Sequence, residues 1–177
     1  MNPAENYPIE YEGRLTLKNG REIFIRPVKH SDEKLVIDLF NRLSSNSIYF
    51  RFLRQLNSLP SDMLYRFTHI NYNSNFALAG IIQEDNKDAI IAIARYCSTP
   101  GDDLIDLAVA VRDDWQHYGI GKALLGKVVD IGKEHGIYRF WGMIDPQNNI
   151  IMRILPELGY KVNYHLKSGL YQVEILV

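Results

Sequence analysis

The stretch LIDLAVAVRDDWQHYGIGKALLGKVVDIGKEHG, residues 104–136, constrains this chain more than any other. Its apolar period changes from two to about 3.6 across one short loop. LIDLAVAVR reads as a strand, with Leu104, Asp106, Ala108 and Ala110 on one face and Ile105, Leu107, Val109 and Val111 on the other. From about Gly119 to His135 the pattern is helical, with Ile120, Leu124, Val128 and Ile131 on one side. A strand that enters a helix through a glycine-bearing loop leaves unpaired amides at the helix start, and such ends bind phosphate.

The glycine spacing decides which kind of phosphate loop this is. A Walker loop needs a glycine where Gln116 stands and a hydroxyl where Ala123 stands. A dinucleotide fingerprint needs a third glycine where Leu124 stands, and a shorter approach from the strand. The residues instead spell Gln-x-x-Gly-x-Gly at Gln116, Gly119 and Gly121. Glycines let the backbone approach an anion closely, and successive amides with the helix dipole make a nest for negative charge. Lys122 in the first turn opposes that dipole. A bound diphosphate would remove the conflict, and a plain surface lysine is the alternative reading.

The remaining elements follow from periodicity. RLTL and REIFIR flank Asn19-Gly20 as a hairpin that Pro27 closes. Ser31 is a candidate cap for a helix with Asp32 and Glu33 in its first turn, and Leu35, Val36, Leu39, Phe40 and Leu43 on one face. SSNS at 44–47 interrupts it, a short helix covers IYFRFL, and another starts at Ser61. NFALAGIIQ, AIIAIARYC and YRFWGMI read as strands, QNNIIMRILPEL as a helix, and GYKV and LYQVEIL as closing strands. The fold class is α/β (α+β), a mixed sheet with helices on its faces. Residues 1–13 read as a polar leader and 14–177 as a single domain, a size that buries a core without disulfides.

Composition excludes several classes. Twenty basic against 21 acidic residues leave a net charge of −1, against a nucleic-acid partner. The single cysteine, Cys97, makes no internal disulfide and no thiolate zinc site, and reads as a small buried hydrophobe. Five histidines show no metal-ligand spacing, so no metal is expected. No apolar run is long enough for a signal or a membrane span, and the chain reads as soluble and cytoplasmic.

The Gln116, Gly119 and Gly121 pattern resembles motif A of the GNAT superfamily of N-acetyltransferases. MIDPQNNIIMRILPELGY resembles the family's motif B, with Asn148 at a recurring asparagine and Leu158-Gly159-Tyr160 at its ending. Ile25-Arg26-Pro27 and Ser47-Ile48-Tyr49-Phe50-Arg51-Phe52 are similar to the opening of Pat-type protein-lysine acetyltransferase domains, a likeness spanning residues 22–176. The resemblance implies a mostly antiparallel sheet of about seven strands with a splayed central pair. It implies acetyl-CoA as co-substrate, its pyrophosphate held by Gln116, His117, Tyr118, Gly119, Ile120, Gly121 and Lys122, with Asn148 nearby. It implies pantetheine pairing with the backbone of Val109, Ala110 and Val111, the Val109 N–H polarising the thioester carbonyl.

By the same resemblance, Asp106 occupies the place of a glutamate general base, one methylene short. Base assistance matters because a lysine of pKa about 10.4 is mostly protonated at neutral pH. The alternative for Asp106 is a structural salt bridge to Arg95 or Arg26. A tyrosine that many members use to protonate the thiolate is replaced by Leu155, and Tyr160 reads as a core or pocket-wall aromatic. Asp102, Asp103, Asp113 and Asp114 would help Asp106 draw a cationic amine. Arg42, Arg51 and Arg54 read as a solvated helix face. The implied acceptor is a primary amine, with a protein lysine favoured. A small-molecule amine and a non-catalytic acyl-CoA sensor are the alternatives. No membrane partner is expected.

Overall fold

A computed structural model describes residues 6–99 and 104–177. Asn19-Gly20 makes its expected turn between β1 (Gly13–Thr16) and β2 (Glu22–Pro27), with Gly20 at φ +81°. Then come α1 (Glu33–Asn41), α2 (Ser45–Phe52) and α3 (Ser61–Thr68). Two long strands, β3 (Asn75–Glu84) and β4 (Lys87–Ser98), lead to β5 (Ile105–Val111), α4 (Ile120–Glu134) and β6 (Arg139–Ile144). The chain ends with α5 (Asn149–Glu157), β7 (Lys161–Lys167) and β8 (Leu170–Leu176).

Among the described residues the strands form one eight-stranded sheet in the order β1-β2-β3-β4-β5-β6-β8-β7, one strand more than the count of about seven. Every neighbouring pair is antiparallel except β5 with β6. β5 follows β4 along its whole length, from Ile105 opposite Ser98 to Val111 opposite Ala92. Its register with β6 is a single pair, Asp106 with Trp141. The sheet is therefore continuous on one side of β5 and opens on the other.

Helix α4 packs against β3, β4 and β5 on one face. Ile120, Leu124, Leu125, Val128, Val129 and Ile131 are buried there, each contributing about 1.5–3 kcal/mol relative to exposure. On the other face α1 packs against β4 and α2 against β5. No helix among the described residues is long and apolar enough to cross a membrane.

Three local readings change. Helix α1 begins at Glu33 and not at a cap on Ser31, because buried Asp32 takes that place. Its carboxylate accepts the Lys29 N–H at 2.7 Å and the Arg26 guanidinium at 2.7 and 2.9 Å. The serines at 44–47 begin α2, the Ser44 hydroxyl accepting the Ser47 N–H at 3.1 Å. Residues 6–12, in the stretch expected to be a leader, dock on the domain. Tyr7 and Tyr11 meet Tyr72 and Phe76 edge-on, and the Tyr11 hydroxyl donates to Glu134 at 2.8 Å.

Candidate active site

The opening beside β5 leads into a cavity of about 460 Å³. Its walls are Val109, Ala110 and Val111 of β5, the start of α4, and side chains of α2 and α5. The backbone direction of β5 is fixed by two hydrogen bonds. Arg112 donates its N–H to Ile91 O at 2.8 Å, on the β4 side. Backbone groups alternate sides along a strand, so the N–H groups of Val109 and Val111 face away from β4, toward the gap. The Val111 carbonyl confirms the alternation, because it accepts the Gln116 side-chain amide at 3.0 Å.

That bond also defines what Gln116 does. Its amide donates to Ser47 Oγ at 3.1 Å as well, so the side chain is a strut joining β5, the loop and α2. Gly119, at φ +88°, is the N-cap of α4, and no side chain caps the helix. The amides of residues 119–122 thus have no intrahelical acceptor, and the first α4 bond is from Ala123 to Gly119 O at 3.1 Å. A Cβ on Gly121 would meet Val111 Cγ2 at 3.4 Å, so glycine lets α4 start close to β5. His117, with φ +69°, turns the loop beside it.

Val109, Ala110, Val111, Gln116, His117, Gly119, Ile120, Gly121, Lys122 and Asn148 all line this one cavity. Ile120 itself is 1% exposed, its side chain part of the core beneath α4. Tyr118 does not line it: its ring meets Trp115 edge-on, and its carbonyl accepts the Lys18 N–H at 3.3 Å. Asn148 caps α5, accepting the Ile151 N–H at 3.3 Å. Lys122 is neither free nor solvated alone, pairing with Glu157 of α5 at 2.9 Å. Lys18 and Arg153 also line the cavity, bringing cations from the first hairpin and from α5. The sequence carries no local signal for either.

Asp106 lies where β5 and β6 still pair, opposite Cys97 on β4 and Trp141 on β6. It is half-buried and does not line the cavity. Neither arginine of the expected salt bridge holds it. Arg26 belongs to Asp32, and Arg95 donates to Asn75 at 3.2 Å. Among the described residues no ion pair or hydrogen bond reaches its carboxylate. Burial pushes its pKa above the usual carboxylate range, and the nearby charges of Arg51 and Arg95 only partly offset this. Arg51 is no solvated helix residue either, since burial and then Arg95 push its pKa down to about 10. Arg42 pairs with Asp38 and Glu84, while Arg54 is exposed.

The acidic group expected around Asp106 serves structure instead. Asp113 accepts from the Ser44 N–H and hydroxyl at 2.9 and 2.7 Å, and Asp114 pairs with buried Arg112 at 2.7 Å. Asp102 and Asp103 lie outside the described residues. Cys97 is half-buried at the strand end. Leu155 is buried, and the Tyr160 hydroxyl donates to Asp130 at 2.9 Å, so neither offers the site a proton.

A strand with one free backbone edge, beside an uncapped helix start that cations surround, defines a site for an extended ligand with a phosphate end. The family model described as Acetyltransferase (GNAT) family matches residues 45–160, and the chain belongs to that family. It is an acetyltransferase of the acetyl-CoA-using type. The GNAT domain of S. lividans PAT superposes with a TM-score of 0.85 at 26% identity, over 97% of this chain and 100% of that one. Acetyltransferase PA5475 of Pseudomonas aeruginosa is 25% identical over 145 residues, 82% of this chain and 78% of that protein. Acetyltransferase Pat of Mycolicibacterium smegmatis is 25% identical over 144 residues, 81% of this chain but 42% of the longer protein.

Proposed function

We propose that this protein transfers an acetyl group from acetyl-CoA directly to a primary amine, with a protein lysine as the favoured acceptor and Asp106 as the base. The observation that carries this reading is the single register pair between β5 and β6, which leaves the Val109 and Val111 amides unpaired beside the cavity. The residues fit the co-substrate: a cavity of about 460 Å³, free amides at 119–122 and the cations Lys18, Lys122 and Arg153 suit an extended diphosphate ester. Bound there, acetyl-CoA supplies the activated acyl thioester.

The chain's own groups do the rest. The amides of 119–122 hold the diphosphate end, and Val109 to Val111 align the arm as an added strand would pair. The Val109 N–H donates to the thioester oxygen as negative charge grows on it. Asp106, directly or through a water, takes the proton that the ammonium must lose before attack. The likeness to the PAT domain and to Pat supports the protein-lysine acceptor.

The test is thiol release from acetyl-CoA with lysine peptides, folded proteins and polyamines as acceptors, together with calorimetry of acetyl-CoA alone. Micromolar binding and turnover on lysine-bearing proteins support the reading. Faster turnover on polyamines assigns a small-molecule acceptor. Binding without turnover on any amine assigns an acyl-CoA sensor, and no binding removes the site altogether.

A further inference from the structure

The inner side of the sheet holds a guanidinium that the reaction above does not use. Arg95 stands on β4 directly opposite Ala108 of β5, on the same face as Asp106. The residue is 7% exposed. Its Nη2 donates to Asn75, its guanidinium carbon lies 4.6 Å over the Phe67 ring, and its Nη1 is buried with no hydrogen-bond partner among the described residues. An unpaired buried donor on a full charge is costly, and native proteins keep few of them without a purpose.

Arg95 borders a small pocket of about 40 Å³ whose other walls include Phe52, Phe67, Ile93 and Ala110. The pocket shares Leu43, Arg51 and Ala110 with the large cavity, so the two are neighbours at the β5 strand. Arg51 also borders the gap between β5 and β6. The pocket thus adjoins the stretch of β5 assigned to the arm of the ester, at Ala110, with apolar walls and two cations, Arg51 and Arg95. At roughly 10–15 Å³ for each water-sized occupant, it has room for about three non-hydrogen atoms.

We propose that this inner pocket takes the far end of an acyl group that terminates in a carboxylate, malonyl or succinyl in size, and that Arg95 selects it. The inference rests on the reading of the large cavity as the coenzyme A site. A plain alkyl chain would satisfy the walls and leave Nη1 orphaned. A carboxylate reaching Nη1 forms a charge-assisted hydrogen bond in a water-poor setting. It also suits the local charge: among the described residues the cations Arg51, Arg66 and Arg95 outnumber the one carboxylate there, Asp106, so a further anion is favoured. Asp106 is two residues from Ala108, roughly 7 Å along β5, which separates the ligand's carboxylate from the base. The transfer is otherwise unchanged: the amine nitrogen bonds to the acyl carbon, the carbon–sulfur bond breaks with its electron pair on sulfur, and the amine's proton leaves through Asp106.

The experiment compares malonyl-CoA and succinyl-CoA with isovaleryl-CoA, an uncharged near-isostere of the malonyl ester, and with acetyl-CoA. Affinity is read by calorimetry and transfer by thiol release, in wild type and Arg95→Met. Wild type should bind at least one dicarboxylic ester about ten-fold or more tightly than isovaleryl-CoA, and Arg95→Met should lose that ratio. Arg95→Met removes the orphaned Nη1 together with the bond to Asn75 and a charge near Asp106, so its melting temperature is measured alongside to show that the variant is folded. Isovaleryl-CoA binding as well as both dicarboxylic esters in wild type overturns the proposal without any variant, as does a ratio that survives Arg95→Met. If acetyl-CoA binds and is turned over while no carboxylate preference appears, only the Arg95 pocket fails. If no ester binds at all, the coenzyme site fails first.

Discussion

Asp106 is where local burial and chemistry pull on one carboxyl group. Burial raises its pKa, and Arg51 and Arg95 draw it back only in part. As a base it must be ionised, so kcat/KM should rise with pH through an acid limb that lies above the ordinary carboxylate range. In Asp106→Asn the limb should vanish and turnover fall about 10²–10⁴-fold, measured by thiol release across pH. The same shift fixes a stability effect of known sign. Between its unfolded and its raised folded pKa, the native state binds more protons than the unfolded chain, so stability falls as pH rises through that window. Burial works against the ionised carboxylate, so Asp106→Asn should melt at or above the wild-type temperature. A variant that is slow because it is unfolded would show the opposite shift.

At the scale of elements, the start of α4 is placed by two glycines that act differently. Gly119 supplies a positive φ that other residues adopt at a cost of about 1–2 kcal/mol. Gly119→Ala should therefore weaken binding of coenzyme A esters and lower the melting temperature by roughly 2–8 °C, read by calorimetry and thermal denaturation. Gly132 acts at the other end of the helix. A Cβ there would lie 2.5 Å from the Phe140 ring, which is itself fully buried and backed by Tyr96. The gain in helix propensity of about 1 kcal/mol is smaller than an overpacking cost of about 1–3 kcal/mol. Gly132→Ala should lower the melting temperature by up to about 8 °C while leaving the 116–122 loop to bind normally. The loop and helix were legible in the sequence because their signals are local: Gly119, Gly121 and the Ile120, Leu124, Val128 stripe are close in the chain. The cap at Asp32 was not, because the choice between Ser31 and Asp32 is made by Arg26, a residue on a neighbouring strand.

Across the whole molecule, the phosphate end of the site is made of parts distant in the chain. Strand parity puts Asp106 on one face with Ala108 and Ala110, but which arginines share that face depends on the register of β4 with β5 and on where α2 docks. Arg26 was a candidate and Arg51 was not, and the fold reverses them. Lys18 and Arg153 carry no local signal for the same reason: one comes from the first hairpin, the other from α5, and they meet only around the α4 terminus. This convergence makes a cationic mouth on a chain whose net charge is −1. The mouth should govern affinity through charge and leave the chemical step alone. Lys18→Glu and Arg153→Glu should each raise the Kd for coenzyme A esters about 5–20-fold with kcat nearly unchanged. The loss should shrink as ionic strength rises from 0.05 to about 0.5 M, because the screening length falls from above 10 Å to below 5 Å over that range. Dephospho and truncated esters separate charge from fit: pantetheine thioesters, which lack the diphosphate, should bind wild type and both variants alike. A variant that loses the pantetheine esters equally would place its side chain along the arm of the ligand and not at its phosphates.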